Sequence, residues 1–70
     1  MYLYDTLRGE SARQFCESTL NMDPADWDID AINRVEIFGT SFSDEGEDYC
    51  EYRVYDCKNK LMAARRERGY

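Results

Sequence analysis

The sequence predicts an α+β fold, with one or two short N-terminal helices packed on a three-stranded antiparallel β-meander. Helical apolar periodicity is confined to residues 11–32, whereas β-branched and aromatic residues dominate from residue 34 onward. The chain has 70 residues, and a domain of this size buries only about 60% of its unfolded surface. We therefore expect residues 1–70 to form a single small acidic α+β domain.

The first helix is predicted over residues 11–20, "SARQFCESTL", with a start up to one turn earlier. Ser11 suits the N-cap position, and Gln14 three residues later completes a capping box. Apolar side chains then recur at helical spacing and form one stripe that we expect in the core. The stripe consists of Ala12, Phe15, Cys16, Thr19 and Leu20.

A second, short helix is predicted from "MDPADWDIDAIN". Asp23 suits the N-cap, and Pro24 suits the first helical position. On such a helix one face would hold the apolar residues and another face would hold carboxylates with about 5–6 Å between neighbours. The apolar members are Ala25, Ile29 and Ile32, and the acidic members are Asp23, Asp26 and Asp30.

Two strands are predicted from "RVEIFGTSF" and "YCEYRVY", joined by the acidic turn "SDEGED" in which Gly46 is free to take positive φ. Val35 and Ile37 share one face of the first strand, and Gly39 is interpreted as a bulge. In the second strand the alternation separates a core face from an outward face. The core face holds Cys50, Tyr52 and Val54; the outward face holds Tyr49, Glu51, Arg53 and Tyr55.

The C-terminal segment is ambiguous between strand and helix. "DCKNK" is typical of a tight turn, and the segment "LMAARRER" after it contains good helix formers. Because the turn directly follows a strand, we prefer a third strand over a helix for residues 60–68. "MYLY" at the N-terminus is interpreted as a short additional edge strand.

Charge is strongly segregated along the chain. Residues 1–56 carry 14 acids and 4 arginines, whereas residues 57–70 carry one acid and five bases, so the whole chain has a net charge of −6. Solubility alone accounts for acidity in many small proteins. The segregation instead favours an electrostatic role in binding a partner.

The residues needed for most catalysis are missing. No histidine occurs, which removes the commonest general base and metal ligand, and no glycine-rich phosphate loop or zinc spacing is present. "DWDID" resembles the start of a calcium loop, but Ala31 replaces the required glycine and Ile37 the bidentate glutamate. We therefore expect a non-enzymatic protein with no cofactor and no bound metal.

The three cysteines and the termini suggest a cytoplasmic protein. Cys16, Cys50 and Cys57 are an odd number without metal or redox spacing, so we expect them reduced, with a Cys50–Cys57 disulfide as the lesser alternative. "MYLYDTLRGE" lacks the basic and apolar regions of a signal peptide, and no run of about 20 apolar residues exists to span a membrane.

The acidic turn and its neighbours are the candidate site. Carboxylates on the second helix and the hairpin, with outward tyrosines beside them, are predicted to form one continuous patch that attracts a basic macromolecule. Carboxylates spaced by about 5–7 Å could imitate the phosphates of DNA, although more sparsely. The predicted partner-binding residues are Asp23, Asp26, Asp30, Asp44, Glu45, Glu47, Asp48, Tyr49, Glu51 and Tyr55.

In size, charge and lack of catalytic residues the chain resembles small phage- or plasmid-encoded anti-defence proteins, such as anti-CRISPR and anti-restriction inhibitors. That resemblance implies a DNA mimic that docks on a basic nucleic-acid-handling protein. Two alternatives remain open. The segment "KNKLMAARRERGY" could contact nucleic acid directly through Arg65, Arg66 and Arg68, which the net charge disfavours, or the chain could be a subunit or homodimer joined through a strand edge.

Overall fold

Four antiparallel strands form one sheet in the order β1-β2-β3-β4, and one α-helix covers one face of it. The computed structural model describes residues 2–39 and 49–68. The strands are β1 (Tyr2–Arg8), β2 (Ile32–Gly39), β3 (Tyr49–Asp56) and β4 (Leu61–Arg68), and the helix α1 spans Gly9–Ser18. The predicted α+β class is confirmed, but the sheet has four strands instead of three and carries one α-helix.

The additional strand, β1, is longer than the edge strand expected from "MYLY". It pairs with β2 from Tyr2, opposite Gly39, to Arg8, opposite Arg34, with an irregularity between Leu3 and Asp5. The alternation of apolar side chains is interrupted at this irregularity, so the period-2 pattern that indicates a strand is weak in the sequence. Pairing with β2 stabilises the strand despite its weak pattern.

Helix α1 begins at Gly9, two residues before the predicted N-cap. Arg8 is the N-cap and contributes no side-chain cap, so the predicted capping box of Ser11 and Gln14 is wrong. Gly9 has φ +60°, a conformation that glycine adopts without strain, and it turns the chain directly from β1 into the helix. Strand pairing up to Arg8 therefore fixes the start of the helix, overriding the local capping preference.

Residues 22–33 do not form the predicted second α-helix. The Asp23 carbonyl accepts hydrogen bonds from the amides of Asp26 and Trp27, which makes a single turn, and a 3₁₀ turn at Ile29–Ala31 leads into β2. A helix this short costs more to nucleate than its few hydrogen bonds return. Ile29 and Ile32 are buried as predicted, whereas Ala25 is exposed.

One core lies between α1 and the sheet. The helix contributes Ala12 and Cys16, which are fully buried, while Phe15 is half-buried and Thr19, predicted in the core stripe, is exposed. The sheet contributes Val35 and Val54, both with 0% exposure, and the connection after the helix adds more apolar residues. These are Leu20, Met22 and Ile29. The predicted alternation in β2 and β3 is confirmed.

Segment 61–68 is a strand, as preferred, and the tight turn before it has a defined geometry. The Asp56 carboxylate accepts hydrogen bonds of 2.9 Å from the amides of Lys58 and Lys60, and Asn59 takes φ +65°. The sheet irregularities lie at other positions than Gly39, which pairs regularly with Tyr2 and Cys50. The predicted turn around Gly46 lies outside the described residues.

Within residues 2–39 and 49–68, no helix has the length and apolar character needed to cross a membrane.

Candidate interaction surfaces

Among the residues that the structure describes, exposed negative charge is concentrated on α1 and the connection after it. Residues 9–31 carry six carboxylates and one arginine, Arg13, a net charge of −5. All six carboxylate residues are exposed: Glu10, Glu17, Asp23, Asp26, Asp28 and Asp30. Glu17 lies near the end of α1, and the four aspartates lie in the segment that follows the helix. We call these five residues the acidic connection. The sequence-predicted residues Asp23, Asp26 and Asp30 are therefore exposed, although they lie in turns and not on a helix.

The carboxylates of the acidic connection have no cationic partner among the described residues. The four ion pairs found there all involve sheet acids, namely Glu36, Glu51 and Glu67. Asp23 is the one member with a structural role, because its Oδ1 accepts a hydrogen bond of 2.9 Å from the Ala25 amide. The negative charge of this connection is thus not paired with a cation in the described part of the chain.

Glu51 is in a different electrostatic setting. Its Oε1 accepts hydrogen bonds of 2.9 and 3.3 Å from Arg66, its Oε2 pairs with Arg53, and its side chain is 12% exposed. Hydrogen bonds from Arg66 and then from Arg53 lower the pKa of Glu51 below its usual value. Arg66 of β4 and Arg53 of β3 therefore neutralise this carboxylate within the protein, which leaves it little capacity for a cationic partner.

The two predicted tyrosines lie on the same face of the sheet as Glu51, the face opposite α1. Arg34 stacks on Tyr55, with 4.0 Å between its Cζ and the ring centroid, and Arg66 lies 5.9 Å from the Tyr49 centroid. Arg53 lies 4.5 Å from the Phe38 centroid in the same way. Guanidinium groups thus lie over the aromatic rings of this face, and no helix of the described chain packs on it.

The described members of the predicted site therefore lie on two surfaces. Asp23, Asp26 and Asp30 belong to the helix layer, and Tyr49, Glu51 and Tyr55 belong to the opposite face of the sheet. The remaining predicted residues, Asp44, Glu45, Glu47 and Asp48, lie outside the described residues. The strand that precedes them in the sequence, β2, ends at Gly39, about 23 Å along the strand from Ile32, which follows the acidic connection.

Two concave regions flank Trp27, which is 37% exposed. One is an apolar cavity of about 190 Å³ between the connection and the sheet. It is lined by Leu20, Asn21, Met22, Trp27, Tyr52, Val54, Ala63, Ala64 and Arg65. The other is an open acidic depression of about 310 Å³. It is lined by Glu17, Pro24, Trp27, Asp28, Ile29 and Asp30.

Two of the arginines considered for nucleic-acid contact, Arg65 and Arg66, make internal contacts, and the side chain of Arg68 is not among those described. Arg65 donates a 2.9 Å hydrogen bond to the Leu20 carbonyl and pairs with Glu67 at 3.1 Å. Arg66 pairs with Glu51, although its side chain is 59% exposed. These contacts attach β4 to the helix layer and to β3, so both arginines have a structural role in the sheet.

The cysteines are free thiols and do not form a reactive cluster. Cys16 is buried, Cys50 is half-buried and Cys57 is exposed. Burial, and secondarily the nearby charge of Glu17, raises the pKa of Cys16 to about 11, which keeps it protonated. Within the described part of the chain, no group of three or more cysteine or acidic side chains is placed to hold a metal ion.

Sequence reasoning missed Glu17, Asp28 and Trp27 as site residues. Glu17 and Asp28 were visible as charges but not as members of one surface, because the path of the connection is set by burial of Ile29 against the helix. The signal for Trp27 was its type alone, a large aromatic side chain within an acidic segment.

Comparisons with known proteins find no similarity on which to base a family assignment: no family model, curated protein or solved structure matches this chain.

Proposed function

We propose that this chain is a non-enzymatic inhibitor that binds the basic, nucleic-acid-binding surface of another protein, in the manner of phage or plasmid anti-defence proteins. The proposed partner is a cytoplasmic nucleic-acid-handling protein of the kind that anti-CRISPR or anti-restriction inhibitors bind. Channels that hold nucleic acid are lined with lysine and arginine, and an acidic protein can occupy them as a DNA mimic.

The observation that carries this proposal is the contrast between paired and unpaired acids. Glu36, Glu51 and Glu67 on the sheet are matched with arginines, whereas the five carboxylates of the acidic connection have no such partner in the described chain. Like charges held together reduce stability, and a cationic partner would relieve that repulsion. Unpaired surface charge also accelerates encounter with an oppositely charged protein.

The structure changes which residues we assign to the binding surface. We keep Asp23, Asp26 and Asp30 and add Glu17 and Asp28, which together with Asp30 line the depression beside Trp27. Asp44, Glu45, Glu47 and Asp48 stay in the proposal as a second acidic segment. Tyr49, Glu51 and Tyr55 are reassigned to the arginine-covered face of the sheet, where their partners are internal.

The cytoplasm suits this proposal on two grounds. Cys16, Cys50 and Cys57 are all free thiols, as expected in a reducing compartment. Proteins whose basic surfaces handle nucleic acid are also abundant there.

The test is capture of a partner from lysate on the immobilised chain, followed by release with duplex DNA. The critical variant combines Asp26→Asn and Asp30→Asn and leaves Asp23 in place because its carboxylate caps a turn. The matched control combines Asp5→Asn and Glu10→Gln, two exposed carboxylates that line neither concavity and give the same net charge.

We expect the wild type and the control to retain a nucleic-acid-binding protein that DNA displaces, and the Asp26/Asp30 variant to lose most of it at physiological salt. A captured protein that DNA does not displace, or equal loss in both variants, would refute a specific DNA-mimicking surface. A salt-sensitive gel shift of DNA by the chain itself would favour direct nucleic-acid binding instead, and light scattering of the free chain would show whether it is a homodimer.

A further inference from the structure

Trp27 separates two concave regions of opposite character. On one side lies the apolar cavity of about 190 Å³, whose walls include Leu20, Tyr52 and Ala63. On the other side lies the depression formed by Glu17, Asp28 and Asp30. Trp27 lines both regions and is 37% exposed. The two regions are therefore parts of one surface.

The cavity is suited to a single aliphatic side chain. Its volume is in the range of one medium-sized apolar group, and its wall is mainly apolar with an aromatic side at Trp27 and Tyr52. Interface hot spots lie in well-packed, desolvated pockets surrounded by contacts that exclude water. No described side chain of this protein fills the cavity.

The acidic depression favours a positively charged group of a partner that binds beside the cavity. The acidic side chains of Glu17, Asp28 and Asp30 form no ion pair within the described chain, so a lysine or arginine beside them would gain attraction without displacing an internal partner. Such a cation would also lie near the Trp27 ring, where a cation–π contact adds to the attraction. An anionic group would be repelled at the same place.

We propose that the two regions beside Trp27 together bind one segment of a partner protein, with an aliphatic side chain in the apolar cavity and a lysine or arginine in the acidic depression. This inference rests on the proposed function and specifies its partner: a basic surface with an exposed aliphatic residue among its cations. Side chains two residues apart on an extended segment point the same way, about 6.6–6.8 Å apart, which suits two sites on either side of one indole.

Arg65 gives the site a direction. It lines the cavity and is held by the Leu20 carbonyl and by Glu67. Positive charge therefore borders the cavity at Arg65, whereas Glu17, Asp28 and Asp30 lie across Trp27 from it. The cationic residue of the partner is directed to the Trp27 side, and one orientation of the segment is preferred.

The test uses a defined peptide probe and an intrinsic reporter. Trp27 is the only tryptophan in the chain, so its fluorescence reports on this site alone. The probe is the capped peptide Gly-Lys-Ser-Leu-Ser-Lys-Gly, which offers a lysine two residues from the leucine in either direction. Two control peptides replace the leucine by serine or both lysines by glutamine.

We expect saturable changes in Trp27 emission with the probe in the range of about 0.1–10 mM. The serine peptide should bind at least about tenfold more weakly, because it lacks the buried aliphatic group. The glutamine peptide should bind several-fold more weakly at about 0.01 M salt, and the difference should vanish near 1 M, where the Debye length is about 3 Å. No saturation by the probe, or equal affinity for all three peptides, overturns the proposal.

Two sets of variants test the apolar cavity and the acidic depression separately. Ala63→Leu should fill the cavity and abolish the preference for leucine over serine, and Asp28→Asn with Asp30→Asn should abolish the preference for lysine over glutamine. Asp5→Asn is the control for charge, and it should change neither preference. If Ala63→Leu does not fold, the leucine-to-serine comparison on the wild type still decides the matter.

The peptide experiment and the capture experiment distinguish failure of the peptide site from failure of the proposed inhibitor function. If the probe fails but the Asp26/Asp30 variant still loses its DNA-displaceable partner, the peptide site is refuted and the inhibitor function stands. If the probe binds as described and no basic protein is captured, the inhibitor function is refuted instead.

Discussion

The guanidinium of Arg34 lies over the ring of Tyr55, its directly opposite neighbour on β3, with 4.0 Å between Cζ and the ring centroid. Arg53 likewise lies over the ring of Phe38, its diagonal neighbour on β2, with 4.5 Å to the ring centroid. In the part of the chain that the structure describes, the ten-residue helix α1 covers the other face of the sheet, and these planar cations shield the aromatic rings on this face. Among the described residues, this cation–aromatic layer covers the face of the sheet opposite α1.

Breaking the Arg34–Tyr55 pair should measurably destabilise the fold. A cation–π contact contributes about 0.5–1 kcal/mol, and loss of the arginine stem adds lost packing. We expect Arg34→Ala to lower the free energy of unfolding in urea by about 1 kcal/mol. Arg34→Lys should recover only part of it because lysine cannot stack as a plane.

A double-mutant cycle with Tyr55→Leu isolates the contact. The coupling energy between the two positions should be about 0.5–1 kcal/mol. A coupling near zero would show that the guanidinium and the ring stabilise the sheet independently.

Glu51 should make stability depend on pH. Its pKa is lower in the folded protein than the usual 4.5, because Arg66 and then Arg53 donate hydrogen bonds to its carboxylate. A depressed carboxylate pKa means that the stabilisation is fully present above the unfolded value and is lost as pH falls through the folded value. The window therefore lies below about pH 4.5.

Glu51→Gln should lower the free energy of unfolding by on the order of 1 kcal/mol at pH 7. The gap between the variant and the wild type should narrow as pH falls from 5 toward 3, measured by urea unfolding at each pH. Glu10→Gln, which removes an exposed carboxylate without an arginine partner, should show no such narrowing. A gap that is constant with pH would contradict the assignment.

The outcome for Glu51 also illustrates what could be predicted from sequence. The period-2 patterns of β2 and β3 correctly place Val35 and Val54 in the core and Glu51 on the outward face. They do not show that Arg66, 15 residues away, lies directly opposite Glu51. Cross-strand pairing depends on register, and register is set by turn geometry and core burial acting together.

The helix layer was less predictable for a related reason. Ser11 and Gln14 match a capping box locally, yet pairing of β1 with β2 starts the helix at Gly9. Likewise, the carboxylate row expected on a second helix becomes a series of turns, because the chain must return to Ile32 while burying Ile29. The exposed aspartates could be predicted from composition, but the cavity beside Trp27 arises only from the tertiary path.

Asn59 should tolerate glycine better than any branched residue. It has φ +65° in the turn that Asp56 closes by accepting the Lys58 and Lys60 amides. Asn59→Gly should change the free energy of unfolding by less than about 0.5 kcal/mol, and Asn59→Val should lower it by about 1–2 kcal/mol. Thermal unfolding of the two variants tests this, and equal stability would show that the turn relaxes to negative φ.

Gly39 and Tyr2 should be energetically coupled. A Cβ added at Gly39 would lie 3.2 Å from the Cζ and hydroxyl oxygen of Tyr2, so the ring must shift to admit alanine. Because Tyr2 is 49% exposed, the shift is available, and we expect Gly39→Ala to cost no more than about 1 kcal/mol. In a Tyr2→Ala background the same change should stabilise the strand, since glycine is unfavourable there by about 0.5–1 kcal/mol. The same sign in both backgrounds would contradict the contact.

The three thiols should react in order of exposure. Cys57 is exposed, Cys50 is half-buried and Cys16 is buried with its pKa raised to about 11, chiefly by desolvation. At pH 8 a thiol reagent should therefore modify Cys57 first and leave Cys16 unmodified until denaturant is added, because the thiolate is the reactive form. Mass spectrometry of digests identifies each site, and Cys57→Ser should remove the fast phase.

Glu17→Gln should not expose Cys16 to the reagent, since burial is the larger cause of its raised pKa. Labelling of Cys16 at the rate of Cys57 in native buffer would show that the helix does not stay packed on the sheet.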